Sequence, residues 1–284
     1  MGASTLSALS GVGKGIKWLS NINMGLSFFI LAFFLAFGST FFGLQALFVG
    51  IWDYLVSIPG NILTVWSADG TEQGDALAGW QGGWTIFYWA WWIAFAPFVG
   101  VFLARISKGR TIREYVLGAM IIPALMCFVW FAIVGGTAID LELNGAANGA
   151  ITGAGQADQL FAMLAVILSE TLAWVMSVIV VILLLTYLVT SADSAVLIIN
   201  TINAAGDEGP KARPHILFWG AALAFVVGGL IIAGGLGAIQ TAMVIGALPF
   251  SFVMVLMGIA LVKAIWRDGL REKHGLETTV SPAE

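Results

Sequence analysis

Apolar residues in this chain run in long unbroken blocks, and polar and charged residues collect in short segments between them. Six blocks are long enough to cross a bilayer, at about 22–50, 84–104, 115–137, 168–190, 214–234 and 238–264. The strict alternation of a barrel strand is missing from them, and a segment in hydrocarbon must satisfy its own backbone N–H and C=O groups. Blocks of about 20 apolar residues therefore predict α-helices. The expected fold class is all-α, a polytopic helical membrane protein with six transmembrane helices. The stretch 40–58 stays apolar and aromatic and is expected to lie along the outer interface as an amphipathic helix.

Charge adds a direction. All twelve Lys and Arg fall in four segments: Lys14 and Lys17; Arg105, Lys108, Arg110 and Arg113; Lys211 and Arg213; and Lys263, Arg267, Arg271 and Lys273. The intervening loops, 51–83 and 138–167, carry acids only. Cations are held on the cytoplasmic side, so both termini are expected in the cytoplasm and the protein in the cell (inner) membrane. Residues 1–284 read as a single transmembrane domain, with 265–284 as a cytoplasmic tail and no cleavable signal pattern in 1–21. Composition agrees: 60% hydrophobic and 10% charged residues is too apolar for a water-soluble fold. Ile106–Tyr115 reads as a short interfacial helix or tight loop, and Gly228–Gly237 as packing surface leading to a tight outer turn.

Chemistry is sparse. The single Cys127, inside an apolar block, is expected to be a small core residue and leaves no disulfide or metal site. Two His are too few for a metal centre, and no nucleophile elbow, metalloprotease motif or phosphate loop is present, so the chain is not expected to be an enzyme or to hold a cofactor.

Two features stand out. Five of the twelve Trp lie between Trp80 and Trp92. At about 100° per residue, Trp84, Phe87, Tyr88, Trp91, Trp92 and Phe95 share one helical face, an aromatic wall of the kind that holds a quaternary ammonium by cation–π attraction. The alternative is an interfacial aromatic belt with helix packing, which suits Trp80 and Trp84 best. Pro97 is expected to break this helix. The second feature is Thr190-Ser-Ala-Asp-Ser194, expected at the cytoplasmic end of the fourth span. Thr190 and Ser191 offer adjacent oxygens to a hard cation such as Na⁺, or bond back to their own helix. Asp193 reads as a helix cap or a gating charge, and Glu170 as an acid favoured at a helix N-terminus.

These residues resemble a known family. Trp84–Tyr115 (WTIFYWAWWIAFAPFVGVFLARISKGRTIREY) is similar to the signature segment of the betaine/carnitine/choline transporters. Gly13–Met24, Thr190–Ser194 and Phe218–Phe250 resemble the same family in the same order. The resemblance implies a secondary active symporter for onium solutes such as glycine betaine, choline or carnitine, coupled to Na⁺ or H⁺. It also implies a partial inverted-repeat, leucine-transporter-like fold, homotrimers, and no partners beyond lipid and a small solute, nucleic acid included. Trp92 would face the trimethylammonium group, Phe87 and Trp91 would line the path with Tyr88 beside them, and Thr190 and Ser191 would bind the cation, with Tyr187 one turn before. Phe95 stands where a Trp is usual, and Ala94 and Ala96 replace small hydroxyl residues. The first span would be the last helix of repeat one and the rest repeat two, with about six preceding helices not encoded. The alternative is then a truncated, non-transporting membrane subunit that needs a partner to supply those helices.

Overall fold

The structure is a computed structural model and describes residues 2–10, 17–107, 109–204 and 213–276. Lys14, Lys108, Lys211 and the end of the tail from residue 277 lie outside the described residues. Every regular element among those described is helical: α1 (Gly2–Ser10), α2 (Lys17–Phe37), α3 (Thr40–Leu63), α4 (Glu72–Gln81), α5 (Phe87–Ile106), α6 (Ile112–Val116), α7 (Ile122–Trp130), α8 (Gly136–Leu143), α9 (Gln159–Ile167), α10 (Glu170–Asn203) and α11 (Arg213–Lys273). Short π-helical segments, Gly82–Ile86, Leu117–Ile121 and Phe131–Gly135, join α4 to α5, α6 to α7 and α7 to α8. Six helices are long and apolar enough to cross a membrane: Lys17–Phe37, Thr40–Leu63, Glu72–Ala104, Ile112–Leu143, Glu170–Asn203 and Arg213–Lys273. The protein is a polytopic helical membrane protein.

The spans differ in places from the pattern of apolar blocks. The first block is divided at Gly38–Ser39, and α3 is a full-length apolar helix in its own right. Packing explains the break. A Cβ at Gly38 would lie 2.5 Å from both Phe34 O and Thr137 Oγ1, and Thr137, fully buried, accepts a hydrogen bond from Ser39 N at 3.1 Å while donating to Ile133 O. Five residues on, a Cβ at Gly43 would sit 2.8 Å from Ala132 O. Small residues let α3 lie directly on 131–143, the usual device where lipid supplies no hydrophobic drive between helices. At the other end of the chain, α11 is interrupted where Gly235 takes φ 60° and ψ −142°, a conformation left to glycine. This is the turn expected between the last two apolar blocks.

Contacts divide the chain into two compact units, residues 1–63 with 112–194, and 64–111 with 195–284. The first is built around Ile30, Leu31 and Phe34 of α2, Ile133 and Val134, Met163 and Leu164 of α9, and Met176, Val180 and Leu183 of α10. The spacings 30, 34 and 176, 180, 183 each bring one stripe of their helix inward. Cys127 is exposed on α7 and not a core residue, because α7 meets the core through Val129 and Trp130 instead.

The loop after α8 is wrapped around one acid. Glu142 accepts hydrogen bonds from the amides of Gly149, Ile151 and Thr152 and from the Thr152 hydroxyl, at 2.8–3.2 Å. Gly145 and Gly149 turn the chain at φ of about 80° to bring those amides round. Replacing Glu142 with Ala is expected to free these donors and speed amide exchange at Gly149, Ile151 and Thr152, leaving α10 protected; equal protection in both proteins would contradict the anchoring role.

In the second unit α5 packs along α11. Phe98 meets Phe250 edge-on at 5.3 Å, and Ala90 is the buried residue of α5. Within Ile106–Tyr115, Arg110 N donates to Ser107 O at 3.0 Å, Gly109 takes φ 83°, and α6 begins at Ile112.

Candidate functional site

The aromatic wall and the hydroxyl pair belong to different units, so each is described by itself. The α5 helix enters through the π-helical segment Gly82–Ile86, whose wider turn carries Trp84 and Thr85. Helical geometry continues unbroken from Phe87 through Pro97 to Ile106. The backbone irregularity expected at Pro97 thus lies about four turns earlier, at the paired glycines 82–83. π segments cost regular hydrogen bonding and recur at functional positions.

Rings on this face form a chain. Trp84 stacks on Tyr88 (6.0 Å, 13°), Tyr88 meets Trp91 (5.8 Å) and Phe87 (5.7 Å), and Phe87 meets Trp91 (5.9 Å). Trp92 and Phe95 stand on the same side of the helix, exposed, with Trp92 at 64%. The opposite side is the one that packs. Thr85, Ile86, Trp89, Ala90 and Ile93 border an apolar pocket of about 660 Å³ with Val244, Ile245, Ala247, Leu248 and Ser251 of α11. Ala90 and its neighbours thus meet α11, while Trp84, Tyr88, Trp91, Trp92 and Phe95 are exposed, Phe87 is half-buried, and Phe98 further along the same face meets Phe250.

The hydroxyl pair lies on α10, which runs 34 residues from Glu170 in its first turn to Asn203, with 170–194 in the first unit. The Thr190–Ser194 run is consequently inside a helix and not at its end. Its polar side chains are satisfied inside the helix: Thr186, Thr190, Ser194, Asn200 and Thr201 all donate to carbonyls three or four residues back. Asp193 is ten residues from the helix terminus and fully buried, which rules out the capping role.

Thr190 donates its proton to the carbonyls of Thr186 (3.2 Å) and Tyr187 (3.0 Å), so its lone pairs point away from the helix. They face a pocket of about 310 Å³ between α2, α7 and α10. Asn23 Nδ2 reaches Thr190 Oγ1 at 3.5 Å, and the Tyr187 and Ser27 hydroxyls are 3.0 Å apart. Asn23 is 4% exposed and its Oδ1 has no partner among the described residues. Ser191, 100° further round α10, is exposed. Asn23 and Ser27 were not singled out from the sequence, although their signal is there: two polar residues four apart inside an apolar span occupy one face.

Fold and composition define the class, a polytopic helical membrane protein. The chain belongs to the betaine/carnitine/choline family of transporters, whose description matches residues 1–270. It is 40% identical over 258 residues to an ectoine/hydroxyectoine transporter of Virgibacillus pantothenticus, covering 89% of this chain and 48% of that one. It is 37% identical over 263 residues to the glycine betaine transporter OpuD of Bacillus subtilis, covering 93% and 49%. An uncharacterized transporter of Mycobacterium tuberculosis is 38% identical over 285 residues, covering 98% and 45%. The chain spans about half the length of the curated relatives it matches.

Proposed function

We propose that this chain forms part of a secondary active transporter for a compact onium solute of the glycine betaine, choline or carnitine kind, coupled to Na⁺ or H⁺. The observation that carries the reading is the exposed aromatic wall of α5. Six rings on one helical face, five of them exposed, offer π faces to a quaternary ammonium that has no N–H to donate. Relatives named as transporters of glycine betaine and of ectoine support a small solute that carries a positive group. Trp92, Trp91, Phe87, Tyr88 and Phe95 are its proposed contacts.

The coupling cation is assigned to Thr190 and Ser191, with Tyr187 beside them. Back-bonding consumes the Thr190 proton and leaves its oxygen as a ligand, and the open Asn23 Oδ1 adds a second oxygen at the same pocket. The sorted Lys and Arg favour both termini in the cytoplasm of the cell.

The test is binding and uptake of labelled glycine betaine in proteoliposomes, by this chain alone and by this chain co-produced with the N-terminal half of the Bacillus subtilis relative. Binding by neither preparation, at concentrations that saturate the full-length relative, would overturn the proposal. Uptake only in the second preparation assigns the chain to the class of subunits that need a partner. In whichever preparation is active, Ser191→Ala is expected to weaken Na⁺ dependence roughly tenfold, the loss of one oxygen ligand. An unchanged Na⁺ response would remove the hydroxyl pair from the coupling site.

A further inference from the structure

The most costly group in the first unit is Asp193. Its carboxyl lies within a membrane-spanning helix and is 0% exposed, yet no Lys, Arg or His reaches it by an ion pair among the described residues. One oxygen, Oδ2, accepts a 2.5 Å hydrogen bond from Ser7 Oγ of α1. The other, Oδ1, has no partner among the described residues, and neither does Ser4 Oγ, also 0% exposed. Ser4 and Ser7 are one turn apart on α1, and side chains three apart share a face with Cβ atoms about 5–6 Å from each other. That face is the inward one, since Ser4 and Ala8 are buried and Leu6 is 69% exposed. The fold thus sets the Asp193 carboxyl against the Ser7 hydroxyl, 186 residues away in sequence, with Ser4 one turn along the same buried face of α1, and leaves Asp193 Oδ1 and Ser4 Oγ without a partner among the described residues.

A buried carboxylate needs a compensating charge, and unsatisfied oxygens in a dry interior cost free energy. Neutral hydroxyls compensate only part of that. We propose that the α1–α10 junction is a binding site for a dehydrated monovalent cation of Na⁺ size, held by Asp193, Ser4 and Ser7 and separate from the Thr190–Ser191 pair. Oxygen-only ligands select a hard cation. A single carboxylate selects charge +1, because a divalent ion would leave one positive charge buried without a partner. The site ties α1 to α10 through the ion, so its occupancy fastens the N-terminal helix to the segment that also carries Thr190.

Equilibrium ²²Na⁺ binding to the detergent-solubilised chain, with N-methylglucamine balancing ionic strength, is the measurement. Asp193→Asn is expected to remove one equivalent of Na⁺ per chain. Ser4→Ala, a near-isosteric change, is expected to weaken that equivalent roughly five- to tenfold, the effect of losing one neutral oxygen ligand, with an unchanged size-exclusion profile. Ser191→Ala should leave the equivalent in place whether or not the hydroxyl pair binds an ion, so failure of the coupling assignment and failure of this one are distinguishable. Full Na⁺ binding by the Asn and Ala variants, or loss of all Na⁺ binding in Ser191→Ala, overturns the proposal.

Discussion

Replacing Trp92 with Leu is expected to weaken binding of glycine betaine by about 10–30-fold and to leave the melting temperature of the protein unchanged. The first half rests on a desolvated cation–π contact of about 2 kcal/mol with the best of the aromatic rings. The second rests on the structure: Trp92 is 64% exposed and is joined to no other ring among the described residues, so its removal empties no core. Trp91→Leu should behave differently. Trp91 contacts both Phe87 and Tyr88, and losing those ring pairs, at about 0.5–1.5 kcal/mol each, should loosen the wall as well as the ligand. Equilibrium binding of labelled solute beside thermal unfolding separates the two. Equal binding by wild type and Trp92→Leu would move the onium group elsewhere on the wall.

The largest effect on stability is expected at Gly38. Valine there puts its Cβ 2.5 Å from the Phe34 carbonyl oxygen and from Thr137 Oγ1. The first is backbone and already accepts from Gly38 N at 2.8 Å; the second is fully buried and holds Ser39 N. Neither neighbour can retreat without giving up a hydrogen bond, so overpacking and a lost bond together should cost about 2–3 kcal/mol. A drop of roughly 5 °C or more in melting temperature is the expected reading. Gly25→Ala, inside α2 and away from the break, is the control, because a Cβ at Gly25 meets nothing within 4 Å. It should raise stability by about 0.5–1 kcal/mol through helix propensity alone. Equal effects at both glycines would show that helix propensity, and not the contact with Thr137, governs Gly38.

Much of the fold was legible because lipid simplifies the code. A segment in hydrocarbon has one way to satisfy its backbone, so long apolar blocks read directly as helices, and the Gly234–Gly235 interruption reads as a turn. The aromatic wall was legible for the same reason, since helical spacing alone places Trp84, Tyr88 and Trp91 in line. The failures share a cause. Thr190–Ser194 looks like a helix end because its side chains are polar, yet those side chains bond back to the helix, which runs on to Asn203. Pro97 looks like a break, and the helix passes through it, whereas the glycines at 82–83 open the π turn. Cys127 looks like core because its block is apolar, but in a membrane protein apolar does not mean inward.

What the sequence by itself determined is therefore everything that depends on one residue or one helix at a time: which segments leave water, where the cations collect, which rings share a face, and the family to which the run from Trp84 to Tyr115 belongs. Only the tertiary structure decided which face of α5 is spent on α11, why the chain must break at Gly38, and that Asp193 sits buried against Ser7, 186 positions away. Hydropathy and helical period are local properties, fixed by the solvent each residue prefers. A contact between distant helices is a property of pairs, set by which small or polar side chains permit close approach, and no single stretch of sequence contains both members.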